Sequence, residues 1–278
     1  MAKLEIGKAE EIDGDYVNSF MLALSAAGAG EGTIKLYTAA VKDFLNFIKK
    51  DPKNVKSEDV NKWLMNVLSR VKDKKSSTAR YYAIAVRRFL RWLGVDVKPI
   101  IPKAKRREVK ALTEDEVEML LSSVRDDLDL LIISLLMDTG LRAKELLSIT
   151  WKDIDMKNRT IYIRNAKNGE ERVVFVSNKT LELLKRWNKE NKEEKVIPLS
   201  YSGLYKRIRT LGLKCKFTSK PLRPHILRHT FATIALRKGM NLMALQRVLG
   251  HKDIKVTQIY VHLMVDDLKR EFEKALNS

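Results

Sequence analysis

His225-Ile-Leu-Arg228, Leu249-Gly250-His251 and Tyr260 place two imidazoles, a guanidinium and a phenol in one short stretch of chain. Most of this stretch falls within the 58 residues from Lys195 to Lys252, which hold thirteen Lys and Arg but neither Asp nor Glu. Such a segment attracts a polyanion and has few carboxylates with which to hold a metal. A phosphodiester attacked by an oxygen gathers negative charge on its non-bridging oxygens, and fixed donors aimed there lower the barrier. Arginine suits that task because its planar fork spans two oxygens and stays charged. Arg142, in Thr139-Gly-Leu-Arg142, and Arg228 are the two candidates, each set among apolar residues rather than on a wet charged face. The combination points to phosphate chemistry on nucleic acid.

Each residue also has a plainer reading. A free phenol titrates near pH 10, so only about one in a thousand is ionised at pH 7, a deficit of roughly 4 kcal/mol. Neighbouring arginines and a histidine offset that by favouring phenolate character as a bond forms. Ile254, Val256, Ile259 and Val261 around Tyr260 equally suit a core tyrosine. His225 and His251 can share protons or donate to developing charge, or simply be buried and hydrogen-bonded. Arg142 has Glu145 at i+3 as a possible ion-pair partner. His225 and His229 stand at i, i+4, the spacing of a helical zinc pair, yet Ile226 occupies the place of the metalloprotease glutamate. The nearest acids are distant and the surroundings strongly positive, so neither a metal nor another cofactor is expected.

The whole chain has 278 residues, 45% of them hydrophobic, and a formal net charge of +19. That length suits one large or two ordinary domains, and that charge implies an acidic partner. No apolar run reaches the roughly 18 residues of a spanning helix, and the amino terminus has no apolar leader segment. A membrane partner is therefore set aside and a cytoplasmic location expected. The single cysteine, Cys215, excludes an internal disulfide framework and fits a reducing compartment. Glutamine occurs only at 246 and 258 while Lys and Glu abound, a bias that leans towards a heat-adapted source.

The first ninety-odd residues read as four helices. Residues 13–25 and 33–50 carry apolar positions at helical spacing, and Asp51-Pro52 closes the second. Ser57 starts a third helix that runs to about Arg70, and Ser77 starts a fourth, Thr78–Leu93, stopped by Gly94. On the fourth, Tyr82, Ala85, Val86, Phe89 and Leu93 form an apolar stripe, with Arg80, Arg87, Arg88 and Arg91 around the rest. From Lys74 to Arg107 the only acid is Asp96, so this face leans towards a polyanion rather than mere solvation. Residues 96–110, with two prolines in the run before a basic stretch, read as a linker.

Thr113-Glu-Asp-Glu116 is a capping box that opens a second domain, followed by helices 113–124 and 127–138 and another from near Arg142. Thr160-Ile-Tyr-Ile-Arg and Arg172-Val-Val-Phe-Val switch to strand character around an Asn168-Gly169 hairpin turn. Lys167 sits at that turn, where a lysine is ordinarily just solvated and where Lys152, Lys157 and Lys179 are alternatives. From 179 onward helices return, ending in a short amphipathic one at 266–276 that suits packing on its own domain or on a neighbouring copy.

These residues carry a resemblance. Thr139-Gly-Leu-Arg142-Ala-Lys-Glu145-Leu with Trp151-Lys-Asp-Ile-Asp155 resembles the first arginine motif of the tyrosine recombinases, the phage-integrase-like family. His225-Ile-Leu-Arg228-His-Thr-Phe-Ala-Thr resembles the second box, and Leu249-Gly-His251 with Tyr260-Val-His262 completes it in order. Thr33, Tyr37, Phe44, Phe47 and the Ser77–Leu93 helix extend the likeness into the first domain. The compact length is most similar to the Xer branch, in its archaeal form. Phe175 departs from the pattern, since many relatives have proline there.

The resemblance implies a mainly α fold: residues 1–95 a four-helix, SAM-like core-binding domain, 96–110 a basic linker, and 111–278 a mixed α/β catalytic domain with a small antiparallel sheet. It implies Arg142, Lys167, His225, Arg228, His251 and Tyr260 as catalytic, with Tyr260 the nucleophile and Lys167 the acid that protonates the leaving 5′-oxygen. The implied activity is site-specific recombination of double-stranded DNA through a 3′-phosphotyrosyl intermediate, without metal, ATP or a small-molecule substrate. Chromosome-dimer resolution by a tetramer joined through the carboxyl-terminal helix is the expected role. Integration or excision of a mobile element, and relaxation like that of a type IB topoisomerase, are the alternatives.

Overall fold

The computed structural model describes residues 6, 15–70, 76–102, 111–164, 171–190, 193–215, 222–251, 253–260, 273 and 276. Lys167 and nearly all of the expected helix at 266–276 lie outside them. The chain divides into two compact units, Met1–Arg107 and Glu108–Ser278. It is mostly helical, with one small antiparallel sheet.

Among the described residues, the first unit holds four α-helices: α1 (Tyr16–Ala26), α2 (Glu31–Ile48), α3 (Ser57–Arg70) and α4 (Ser76–Trp92). Asp15 caps α1 by accepting from the backbone of Val17 and Asn18. Tyr37, Ala40, Val41 and Phe44 recur at helical spacing on α2 and are all buried. Phe20 of α1 meets Phe89 and Trp92 of α4 with ring centroids 5.3 and 5.2 Å apart. Trp63, fully buried on α3, donates its indole N–H to Asp43, whose carboxylate also receives the fork of Arg70. Part of the segment read as a linker belongs to this packing. Val97 is buried in the first core, the Lys98 and Ile100 amides donate to Ser57 and Asn61, and Arg80 donates to the Pro102 carbonyl.

The second unit opens with α5 (Glu114–Ser123), whose Thr113–Glu116 capping box forms as the sequence requires. Next come α6 (Asp127–Thr139) and the single turn α7 (Ala143–Leu146). The sheet follows as β1 (Ile154–Asp155), β2 (Thr160–Ile163) and β3 (Arg172–Phe175), antiparallel in that order. Strand β1, only two residues long, is too short to carry a periodic signal. After the sheet come α8 (Asn178–Glu190), α9 (Tyr201–Cys215), α10 (Pro224–Arg237), α11 (Leu242–Leu249) and α12 (Ile254–Gln258). Helix α6 is apolar nearly all round, with Leu128, Leu131, Ile132, Ile133, Leu135 and Leu136 buried, and therefore takes the centre. Helices α8 and α10 and strand β3 pack on it. No helix among the described residues is long and apolar enough to cross a membrane.

Gly140 ends α6 in the left-handed region, at φ +59°. A Cβ placed there would stand 2.4 Å from the Phe231 ring of α10 and 2.8 Å from Leu249 of α11. The end of α6 thus meets α10 and α11 at a point where only glycine fits. Gly140→Ala is expected to destabilise the second unit by on the order of 2–5 kcal/mol, from left-handed strain and overpacking together. Denaturant unfolding measures this, and a change below about 1 kcal/mol would contradict the close approach.

Candidate active site

Helix α11 is short, and its last carbonyls have no partner further along the helix. Gly250 adopts φ +63° and turns the chain away, so those oxygens point outward. Three guanidiniums take them. Arg172 Nε donates to Val248 O at 2.8 Å, an Arg228 nitrogen to Leu249 O at 2.7 Å, and an Arg142 nitrogen to Gly250 O at 3.1 Å. Cations at the negative end of a helix are favourable. The glycine is needed for space as well as for its dihedral, because a Cβ would come within 3.0 Å of the Arg172 guanidinium.

Among the described residues, a single carboxylate pairs with this cluster. Glu145, 3% exposed, accepts from the Arg142 guanidinium at 2.7 Å, from the Arg142 amide at 2.8 Å, and from both terminal nitrogens of Arg172 at 3.1 and 2.8 Å. The i+3 pairing of Arg142 with Glu145 foreseen from the sequence is therefore present, and Arg172 is its unforeseen third member. Burial pushes the Glu145 carboxyl up, but the hydrogen bonds and charges of Arg172 and Arg142 outweigh it and hold the group at about 2.

Arg228 is buried on α10 and also donates to the carbonyl of Gly140. Burial and then the charge of Arg142 pull its pKa to about 10, so it remains a cation at neutral pH. Its other terminal nitrogen lies 2.9 Å from His251 Nε2. A guanidinium only donates, so Nε2 accepts, and the proton of neutral His251 sits on Nδ1 and is donated to Thr257 Oγ1 at 2.9 Å. Burial and the surrounding arginines drive the His251 pKa down to about 4, in keeping with that neutral tautomer. Thr257, on α12, in turn accepts the backbone N–H of Tyr260 through its carbonyl.

Tyr260 is 1% exposed, and its hydroxyl lies 2.8 Å from His229 Nδ1. Burial raises the phenol pKa while Arg228 and Arg142 lower it, with burial ahead. His225 lies one turn before His229 on α10, the two ring centroids 6.5 Å apart, and burial followed by Arg228 and Arg142 lowers its pKa. Of the six residues singled out in the sequence, Arg142, Arg228, His225, His251 and Tyr260 are thus gathered around the α10–α11 end of the second unit. Lys167 is outside the described residues.

Two members of the cluster were not read from the sequence. Arg172 shares a strand face with buried Val174 two residues on, and a charge on the core side of a strand demands a partner; that was its signal. His229 was weighed only as half of a zinc pair, although its place beside Arg228 on an apolar helix set it in the same pocket.

A mixed helical unit in which guanidiniums outnumber carboxylates around a buried phenol suits chemistry on a phosphate anion. Comparison with known proteins narrows this. Residues 110–266 match the phage integrase family, and residues 16–70 match its N-terminal SAM-like domain. The chain is 52% identical to the tyrosine recombinase XerA of Saccharolobus solfataricus, the alignment covering 99% of this chain and 97% of that one. A crystal structure of XerA recombinase is similar with a TM-score of 0.55 and 27% identity, over 94% of this chain and 98% of that one. XerH site-specific recombinase bound to a palindromic difH substrate, a post-cleavage complex, shares the fold with a TM-score of 0.74 and 21% identity, over 92% and 83% of the chains. The chain belongs to the phage integrase family and is a tyrosine recombinase, an enzyme of DNA strand transfer.

The Glu145 pKa of about 2 lies below the ordinary value of 4.5, so its contribution is complete above about pH 4.5 and is lost as pH falls towards 2. Wild type is expected to exceed Glu145→Gln in stability by on the order of 3 kcal/mol at neutral pH, the gap closing through that window. Unfolding curves of both proteins between pH 2 and 7 check this. A gap independent of pH would show that Glu145 is not the charged partner of the two arginines.

Proposed function

We propose that this chain is a site-specific recombinase acting on double-stranded DNA, with Tyr260 as nucleophile and a 3′-phosphotyrosyl intermediate. The observation that carries the proposal is the charge imbalance around Glu145: three guanidiniums and one carboxylate, largely buried, beside a buried phenol. Such an excess calls for an anion, and a phosphodiester is an anion that a phenol can attack.

In this mechanism Arg142 and Arg228 hold the non-bridging oxygens and stabilise the charge that grows on them. His251, already on the Arg228 fork, joins them at the phosphate, and His225 assists proton transfer nearby. Lys167 protonates the 5′-oxygen as it leaves. The bond energy stays in the phosphotyrosyl ester, so a 5′-hydroxyl from a partner duplex can reverse the step without ATP. Residues 1–95 grip the DNA through the arginine face of α4, residues 96–110 connect, and residues 111–278 carry the chemistry. Four copies synapse two sites through the segment at 266–276. Similarity to XerA over nearly the whole chain supports chromosome-dimer resolution at a dedicated site, in the cytoplasm, as the biological role.

Tyr260→Phe is expected to bind DNA normally yet form no covalent adduct on a nicked suicide duplex, read on a denaturing gel. An adduct that persists removes Tyr260 from the role. Arg142→Ala and Arg228→Ala should each slow single-turnover cleavage by on the order of a hundredfold or more, and near-normal cleavage by either breaks the assignment.

A further inference from the structure

The hydroxyl of Tyr260 is buried, and among the described residues its one hydrogen-bond partner is His229, at 2.8 Å with ring centroids 5.6 Å apart. His225, the imidazole that the sequence resemblance assigns to proton transfer, sits one turn earlier on α10, its ring centroid 6.5 Å from that of His229. We propose that His229 is a catalytic residue: its Nδ1 takes the phenolic proton as the Tyr260 oxygen attacks phosphorus, and returns it when the strand is rejoined. This rests on Tyr260 being the nucleophile.

The chemistry follows from what surrounds the ring. A phenol can donate or accept; in the tautomer this role requires, Nδ1 accepts the phenolic O–H and the neutral imidazole carries its proton on Nε2. Burial, then His225 and then Arg228, bring the His229 pKa to about 4, which leaves it unprotonated and able to accept at neutral pH. The charged and titratable groups that bear on it are His225 and Arg228 on its own helix, His251 after α11, and Tyr260 after α12. Asp138 on α6, the helix packed against α10, is turned to the Ser177 amide.

In the step itself the phenolic O–H breaks and its proton passes to Nδ1, while the oxygen–phosphorus bond forms. The bond from phosphorus to the 5′-oxygen breaks, and that oxygen takes its proton from the general acid. Without DNA, burial first and then the charges of His225 and Arg228 disfavour an imidazolium at His229. A bound phosphate offsets the positive charge around the ring, so the ring becomes a better base when substrate is present. Proton removal is thereby tied to occupancy of the site.

The test is single-turnover cleavage by the full chain between pH 5.5 and 9.5. The substrate is a nicked duplex carrying the genomic sequence recovered from covalently trapped fragments. It is made with either oxygen or sulfur at the bridging 5′ position, because a sulfur leaving group needs no acid. Wild type is expected to give a flat rate above pH 6. His229→Ala and His229→Gln should cleave both substrates about 10²–10⁴-fold more slowly, the rate rising about tenfold per pH unit as hydroxide replaces the lost base. Glutamine preserves a hydrogen bond to the phenol but cannot take its proton, so it separates support from chemistry. A His229→Gln rate near wild type overturns the proposal, as does a slow rate with the wild-type profile. In the same assay an adduct in Tyr260→Phe would instead defeat the nucleophile assignment and leave the contact unexplained.

Discussion

Three consecutive carbonyls at the end of α11 hold the three arginines of the site, and the placement of everything else follows from that. Arg142 comes from the turn before α7, Arg172 from β3 and Arg228 from the middle of α10. Nothing in the sequence neighbourhood of any one of them relates it to the others. Each ends on Val248, Leu249 or Gly250. The helix offers unsatisfied acceptors in a fixed array with the negative end of its dipole behind them, and long flexible side chains converge on it. The Leu249-Gly250-His251 run is thereby accounted for physically. Leu249 packs in the core, Gly250 turns the carbonyls outward, and His251 leaves the helix on the Arg228 fork.

Glu145 sets how much positive charge remains. A buried ion pair with matched charges would be inert towards an anion, and a cluster with no carboxylate would repel itself. One carboxylate shared by Arg142 and Arg172 orients two forks and leaves a net excess on the side of Arg228. Arg172 spends its three nitrogens on protein groups, the Glu145 carboxylate and the Val248 carbonyl. Its part is to fix Glu145 and the end of α11, and so to position Arg142. Arginine suits that because the planar fork bonds the carboxylate with two nitrogens while Nε reaches the helix end.

The sequence was legible where one local rule decided the outcome. Capping residues, apolar spacing on α2 and α4, the Thr113–Glu116 box and the glycine after α6 all act within a turn or two. The residues with unusual chemistry in an apolar setting were legible for the same reason, since an arginine or a phenol among leucines needs a partner. What could not be read was which groups meet. Glu145 on α7 and Arg172 on β3 are brought together by tertiary packing that no local rule specifies. His229 and His225 share a helix face at i, i+4. Choosing the one that faces Tyr260 requires the path of the chain from His251 through α12, which no periodicity specifies.

That path has a consequence for the chemistry. The phenol and the arginine cluster are not independent, because His251 Nδ1–H bonds Thr257 and the Thr257 carbonyl receives the Tyr260 amide. Tyr260 is thus tethered, through Thr257, to the imidazole on the Arg228 fork. Thr257, the link between them, is fully buried. Burial of Tyr260 then has a chemical reason as well as a packing one. A phenol held on an imidazole and shielded from water stays protonated, because burial disfavours the phenolate.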